Sequence, residues 1–461
     1  MANAAGGART ADELVAQVDT GGREPEGWQR NAFLTIAFLW SVFHLYIASN
    51  VPYALTEWLG VDLTLPSSQA RRIHLAFAIL LGAMAFPLFK TSPKREIPWY
   101  DWLLGLAGII CCIWAIVHRD AIAVRAGLPT HGDLIISGLG MLILLVSVYR
   151  ALGLPLVIIS GVFIAYVFFG DARWLPEVIQ WKGASFGKAT WHYWMQDEGV
   201  FGAALKVLTE LIFLFVLFGA ILEKAGAGNY FIKLAFALLG HLRGGPAKAA
   251  VVASAMSGLY SGSSIANTVT TGTFTIPLMM RTGFSAEKAG AVEVASSTNG
   301  QLTPPVMGAA AFLIAEFTGI PYTDILKHAL VPALVSYIAL VYIVHLEAMK
   351  MDLKGLEKLP STMTFASKVL GVLFGFILTA VIFGVCWFII QAVGDRAPDM
   401  SFTTSAILAG VAYLVLLWIA SRKPDLVVDP PDSPILELPA AGPTAITGLY
   451  YVLPIVILIW C

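Results

Sequence analysis

Charge is scarce in this chain. Only 13% of its 461 residues are Asp, Glu, Lys or Arg, against 57% hydrophobic residues, whereas soluble domains carry about 25% charged residues. That balance excludes a soluble globular protein and marks an integral membrane protein held in a lipid bilayer. The formal net charge of -1 lacks the basic excess that a nucleic-acid partner requires. Cysteine is also rare. Cys111, Cys112, Cys386 and Cys461 all sit in apolar runs, with no metal-ligand or disulfide-framework spacing, and read as small buried hydrophobes. There is no G-x-x-x-x-G-K-[ST] phosphate loop, so no ATPase. No HExxH and no nucleophile–base pair occurs either, so no enzyme and no organic cofactor are expected. A basic region followed by a short apolar stretch, the sign of a cleavable signal peptide, is missing as well. Residues 1–31 are expected to form a polar cytoplasmic tail.

What is abundant is long apolar runs. Spanning candidates of about 18 residues or more fall near 32–49, 72–89, 101–118, 133–149, 154–170, 200–222, 325–346, 365–392, 403–421 and 444–461. Basic residues orient them, because Lys and Arg are retained on the cytoplasmic side. Lys90, Lys94 and Arg95 follow the second run and place the N-terminus inside. Arg150, Lys224, Lys350, Lys354, Lys358, Arg422 and Lys423 then also fall inside, while Arg71, Arg72, Arg119 and Arg125 come near the outer face and fit less well. The stretch 171–199 becomes an external loop whose Trp and Tyr read as an interfacial belt rather than a ligand-stacking site.

Residues 226–320 break this pattern. The segment 226–241 is short and carries Lys233 and His241, as an amphipathic arm in the interface would. Basic residues mark both ends of 247–280: Arg243 and Lys248 around its start, Arg281 after it. Each limb of about 13–16 residues is too short to span at 1.5 Å per residue. The reading is a re-entrant helical hairpin with its tip at Tyr260–Ser264, where Gly258 and Gly262 turn the chain and serine hydroxyls cap the returning helix. A second irregular element, 293–317, is apolar on both flanks but broken at Asn299-Gly300 and Pro304-Pro305, since proline donates no N–H. With it the count comes to about 11 spans.

Non-helical backbone at membrane depth is tolerated only where it is buried in protein or lines a hydrated cavity. Facing breaks near the midplane are where secondary transporters hold substrate and coupling ions. One Ser or Thr in a membrane helix commonly just packs or bonds to the preceding turn. Two breaks lined with Ser, Thr, Asn and Gln point instead to a site. The candidates are Ser261, Gly262, Ser263, Ser264, Asn267 and Thr271 in the hairpin, and Thr298, Asn299, Gly300, Gln301 and Thr303 in the break. Their hydroxyls and carbonyls are hard ligands that suit sodium, with Ser264, Asn267, Asn299 and Thr303 as the sodium candidates. The half-helix starting near Ile265 also points its positive end at an anion. Asn267, Thr271 and Thr275 share one helical face, which is expected to turn inward. Glu210 or Glu293 could relay protons, so sodium and proton coupling both stay open. Lys206 and Glu210, four residues apart, are either a local ion pair or an intramembrane functional pair. His44, His74 and His345 read as lone packing histidines. A "TVTTG" stretch at 268–272 is akin to a channel filter, but it continues as a helix, which disfavours a channel.

The stretches "ALLGHLRGGPAKAAVVASAMSGLYSGSSIANT", 237–268, and "TIPLMMRTGFSAEKAGAVEVASSTNGQLTPPVMG", 275–308, resemble the first re-entrant hairpin and the following segment of the large membrane subunit of TRAP (tripartite ATP-independent periplasmic) transporters. The wording of "IANTVTTGTFTIPLM" and "QLTPPVMGAAAF" is closest to the TAXI branch. The resemblance implies an all-α polytopic fold with an elevator mechanism, in the bacterial inner membrane with the N-terminus cytoplasmic. Residues 32–150 would be a four-helix scaffold like the family's small subunit. Residues 151–360 would be the first half of the large subunit, with arm helix 226–241 and hairpin 247–280, and 361–461 the start of its second half. It further implies a TAXI-type solute-binding protein as partner, a small organic acid as solute, and cation ligands from the Ser261–Asn267 tip and the Thr298–Thr303 break. The family's second hairpin has no counterpart after residue 350, so an incomplete permease is expected. The alternatives are a non-transporting scaffold piece and a passive channel.

Overall fold

A computed structural model describes residues 22–89, 92–125, 127–356 and 441–460, with scattered positions between 370 and 438. Every described element is helical. In order they are α1 (Gly27–Ala48), α2 (Val51–Leu59), α3 (Ser67–Ala85), α4 (Trp99–Val117), α5 (Arg119–Val124), α6 (His131–Leu152), α7 (Leu154–Phe169), α8 (Phe186–Thr190), α9 (Ala203–Lys224), α10 (Ala227–Leu239), α11 (Gly245–Gly258), α12 (Ser264–Arg281), α13 (Ala286–Asn299), α14 (Ala309–Thr318), α15 (Tyr322–Lys350), α16 (Ala441–Thr447) and α17 (Leu449–Trp460). Among the described helices α1, α4, α6, α9 and α15 are long and apolar enough to cross a membrane. Lys90, Lys358, Arg422, Lys423, Cys386 and Cys461 lie outside the described residues, and the predicted runs at 365–392 and 403–421 are described only at scattered positions. The chain divides into two compact units, Met1–Leu214 with Phe312–Gly319, and Phe215–Ala311 with Ile320–Cys461.

The first unit is a bundle built on α3, α4 and α6. Glycines let two helices approach closely, as is common in membranes: a Cβ on Gly108 would lie 2.4 Å from Ile79 Cγ2 and one on Gly105 2.6 Å from Leu80 Cδ1. Helix α6 starts where sequence dictates, at a capping box. Thr130 accepts from the Asp133 N–H while the Asp133 carboxylate accepts from the Thr130 N–H, satisfying donors that a helix start leaves open. It ends at Gly153, with φ of 84°, immediately before Leu154-Pro155. Cys111 and Cys112 are buried, as expected of small hydrophobes.

Several expectations for this unit need correcting. Helix α3 begins five residues before the predicted run, which brings Arg71 into it beside Arg72, and both are buried. Arg72 donates to the carbonyls of Trp194 and Met195 at 3.1 and 2.7 Å and stacks over the Phe201 ring. A guanidinium has five donors to place, and the turn at 194–201 supplies the carbonyls. Trp191 and Trp194 are therefore core residues rather than belt residues. Trp194 fills a notch at Gly140, where a Cβ would meet its ring at 2.3 Å, and its indole N–H donates to Cys111 O. Lys206 and Glu210 do not pair. A π turn at Leu208–Ile212 breaks their register; Lys206 instead pairs with Glu316 at 2.8 Å, and Glu210 accepts from Ser67. His44 and His74 are not lone either: Nε2 of one lies 2.8 Å from Nδ1 of the other, with the His44 ring stacked on Phe213.

The second unit assembles from small residues. Helix α11 is mostly Gly, Ala, Ser and Val, and Ala247, Ala249, Ala250, Val251 and Ala253 are fully buried. Such a smooth helix admits close neighbours on all sides, and α10, α12, α13 and α15 pack against it. Helix α10 turns Tyr230, Phe231, Leu234 and Phe236 inward, so the predicted arm is a packed element here. Tyr230 donates to Ala445 O at 3.0 Å. His345, too, has a partner: its Nδ1 lies 3.0 Å from Lys248 Nζ. The predicted run 444–461 is two helices, α16 and α17, separated at Gly448.

An ion cluster anchors the first unit. Asp101 pairs with Arg23 at 2.7 Å and with Arg150, and all three side chains are at most 2% exposed. Removing one partner of a buried pair leaves uncompensated charge and costs about 3–5 kcal/mol. Asp101→Ala is therefore expected to lower the unfolding midpoint of the purified protein strongly, whereas Glu26→Ala, whose partner Arg95 is exposed, should leave it within the scatter of wild type.

Candidate functional site

Two interruptions of helical backbone meet in the second unit. The first lies between α11 and α12, residues 259–263. Ser263 caps the returning helix by accepting from the Ala266 N–H at 3.2 Å. The second follows α13: a 3-10 turn Gly300–Leu302, a cis Pro304-Pro305 bond, and Met307 in the left-handed region at φ 47°. Glycine permits their approach. A Cβ on Gly258 would lie 2.9 Å from Gly300 Cα, and one on Gly262 would lie 1.8 Å from Met307 O. Gly262 and Gly258 thus act by letting backbone touch backbone.

Asn267 sits at this junction with 2% exposure. Its Nδ2 donates to Ser254 O at 3.1 Å and to Ser254 Oγ at 3.0 Å. Its Oδ1 is buried and has no hydrogen-bond partner. A buried acceptor left unmet costs about 1–3 kcal/mol, so this oxygen stands ready for a donor or cation. Gln301 Nε2 donates to Ser264 Oγ at 2.8 Å and ties the second break to the start of α12. Thr303 Oγ1 is buried, donates to Asn299 O at 3.2 Å, and lies 3.2 Å from the Tyr337 hydroxyl. The face formed by Asn267, Thr271 and Thr275 is buried throughout.

Most of the predicted residues gather here. Asn267, Thr271, Gly300 and Thr303 are buried, and Ser261, Gly262, Ser264 and Asn299 are half-buried. Ser263 and Gln301 are exposed but engaged in the cap and the tie just described. Thr298 is not brought in. It is exposed and donates to Val294 O of its own helix at 2.7 Å. Ser254, Ser297 and the interior position of Glu293 emerge only from the fold. Thr271 and Thr275 both donate to the Glu293 carboxylate, and Ser297 donates to it at 3.1 Å. The signal was present: Glu293 and Ser297 are one turn apart, as are Thr271 and Thr275, so both helices offer a polar face at i, i+4 spacing. No group of three or more His, Cys, Asp or Glu side chains gathers as a metal site among the described residues.

Interrupted helices with a buried polar seam, in a chain of long apolar helices, fit a polytopic α-helical membrane protein. The chain belongs to the family of the DctM component of tripartite ATP-independent periplasmic transporters, whose family model matches residues 139–393. It is 32% identical over 146 residues to the C4-dicarboxylate TRAP transporter large permease protein DctM of Vibrio cholerae, covering 32% of this chain and 31% of the relative. The protein of the same name from Rhodobacter capsulatus is 31% identical over 133 residues, 27% of this chain and 30% of the relative. The ectoine TRAP transporter large permease protein TeaC of Halomonas elongata is 30% identical over 107 residues, 23% of this chain and 25% of the relative. The chain spans about a third or less of the length of each.

The contact at Gly262 leads to a stability test. A methyl group there overlaps a backbone carbonyl, which cannot rotate away, and overpacking of this kind costs about 1–3 kcal/mol. Gly262→Ala is expected to lower the melting temperature in detergent, while Gly290→Ala, where a Cβ meets nothing within 4 Å, should not.

Proposed function

We propose that this chain is the membrane permease of a binding-protein-dependent secondary transporter of the bacterial inner membrane, taking up a small organic acid on a sodium or proton gradient. The observation that carries this reading is the buried, unpartnered Asn267 Oδ1 at the junction of two backbone interruptions. The start of α12 adds N–H groups and a positive dipole end that suit the carboxylate of a solute. The oxygens of Ser264, Asn267, Asn299 and Thr303 suit a sodium ion in size and hardness. The printed names of relatives, C4-dicarboxylate and ectoine permeases, support small polar solutes. The wording of the hairpin supports a TAXI-type solute-binding protein as the delivering partner. The mechanism proposed is elevator-type, with α11 and α12 as a re-entrant hairpin and the N-terminus cytoplasmic.

Replacing Asn267 by Leu keeps the branching at Cγ but removes both the oxygen and the amide donor to Ser254. In the full-length permease, assayed in proteoliposomes with its solute-binding protein, Asn267→Leu is expected to abolish gradient-driven uptake while the protein still inserts. Uptake at the wild-type rate would place the site elsewhere. Sidedness tests the topology independently. Thiols introduced at the exposed positions Arg243 and Arg281 should react with an impermeant label from the same side, and a thiol at Ser185 from the outside of intact cells. Opposite sidedness of the first two would make α11 and α12 ordinary parts of spans and remove the hairpin.

A further inference from the structure

Glu293 is a carboxylate with no exposure, set on a helix inside the second unit. An ionised carboxylate in apolar surroundings requires a counter-charge or a full set of donors. The charged and titratable groups on the packed helices are placed elsewhere. Lys248 of α11 lies against His345 of α15, and Lys288 of α13 pairs with Glu347 of α15 at 2.9 Å. Asp324 and Lys327 pair with each other in the first turn of α15, where His328 follows, and Lys350 ends that helix. The Tyr337 hydroxyl contacts Thr303 and Ser296 O. Glu287 lies in the first turn of α13, and Arg281 ends α12, six residues beyond Thr275. Among the described residues, what touches the Glu293 carboxylate is three hydroxyls: Thr271 and Ser297 on Oε1, Thr275 on Oε2.

This arrangement satisfies both protonation states. With Glu293 ionised, the three hydroxyls donate to it. With Glu293 protonated, its O–H needs an acceptor, and a threonine hydroxyl becomes one by turning its own proton away. Each threonine has somewhere to turn it: Thr271 Oγ1 lies 2.8 Å from Asn267 O, and Thr275 Oγ1 lies 3.0 Å from Thr271 O. Neither state strands a buried donor. Helix α12 packs closely on this side chain: a Cβ on Gly272 would lie 3.1 Å from Glu293 Cγ.

The carboxylate also reaches the solute junction. Asn267 Nδ2 donates to Ser254 Oγ, which leaves the Ser254 proton for Ser297 Oγ at 3.2 Å, and Ser297 donates to Glu293. All donors in this row point toward the carboxylate, so adding a proton at Glu293 removes the charge that polarises them and alters the amide that carries the unpartnered Oδ1.

We infer that Glu293 is a proton-binding site of this permease, taking one proton onto its carboxylate and releasing it again in step with solute at Asn267. The step is a protonation alone: one O–H bond forms on Glu293 from a water-borne proton and breaks on release, with no oxidation or reduction. The inference rests on the transport reading for its coupling role, but the protonation itself is measured without transport. In the full-length permease in lipid, infrared difference spectra between acid and alkaline pH should show the C=O stretch of a protonated buried carboxyl, and Glu293→Gln should lose it. Thr275→Val removes a donor to the ionised form, so the midpoint of that band should move to higher pH; this variant keeps the test open should Glu293→Gln fail to insert. In proteoliposomes, stimulation of uptake by an inward proton gradient should be lost in Glu293→Gln. A band unchanged in Glu293→Gln, a midpoint unmoved in Thr275→Val, or proton-stimulated uptake that survives in Glu293→Gln would each overturn the inference. A band lost in Glu293→Gln, in a protein that takes up no organic acid, would uphold the protonation site while removing the transport reading.

Discussion

The second unit depends on one constraint: irregular backbone in an apolar chain must find partners within the protein. Two stretches leave helical geometry, around Gly262 and around Pro304-Pro305, and each becomes the other's neighbour. The Gly262 backbone lies against Met307 O, and Gly258 lies against Gly300. Side chains complete the seam, with Gln301 on Ser264 and Asn267 on the Ser254 carbonyl. The smoothness of α11 follows from the same demand. A helix of Ala, Ser and Gly lets α12 and α13 come near enough for Ser254, Ser297 and Asn267 to touch. A larger side chain at Ala250, which packs with Met279 and Ala289, would part them.

The first unit meets its own polar burden differently. It buries whole charges and pairs them. Asp101 holds Arg23 and Arg150, and Arg72 spends its donors on the carbonyls of Trp194 and Met195. Charge-assisted bonds are the strong ones, and here they fix loop to helix and tail to bundle. The second unit uses hydroxyls and amides, which can exchange donors for acceptors by rotating.

Much of this was legible in the sequence because composition and periodicity are local. Scarce charge and long apolar runs determined a helical membrane protein. Glycines and prolines fixed where helix stops, at Gly153, at 259–263 and at 300–308, since proline cannot donate and glycine has no Cβ. The i, i+4 spacing of Asn267, Thr271 and Thr275 determined that they share a face. Family membership, too, followed from a long ordered match around the hairpin.

Tertiary structure decided what lies across from each residue. Sequence spacing suggested Lys206 with Glu210, but a π turn and the position of α14 gave Lys206 to Glu316. The aromatic residues near 191–194 had the composition of a membrane belt, yet the notch at Gly140 and the carbonyls needed by Arg72 drew Trp194 into the core. Glu293 shows the division most clearly. Its type and its neighbour Ser297 were readable one turn apart, but the threonines that hold its carboxylate come from a helix some twenty residues away in sequence. Local rules fix which face a side chain occupies; only packing determines which partner that face meets, because contact depends on how separate helices approach.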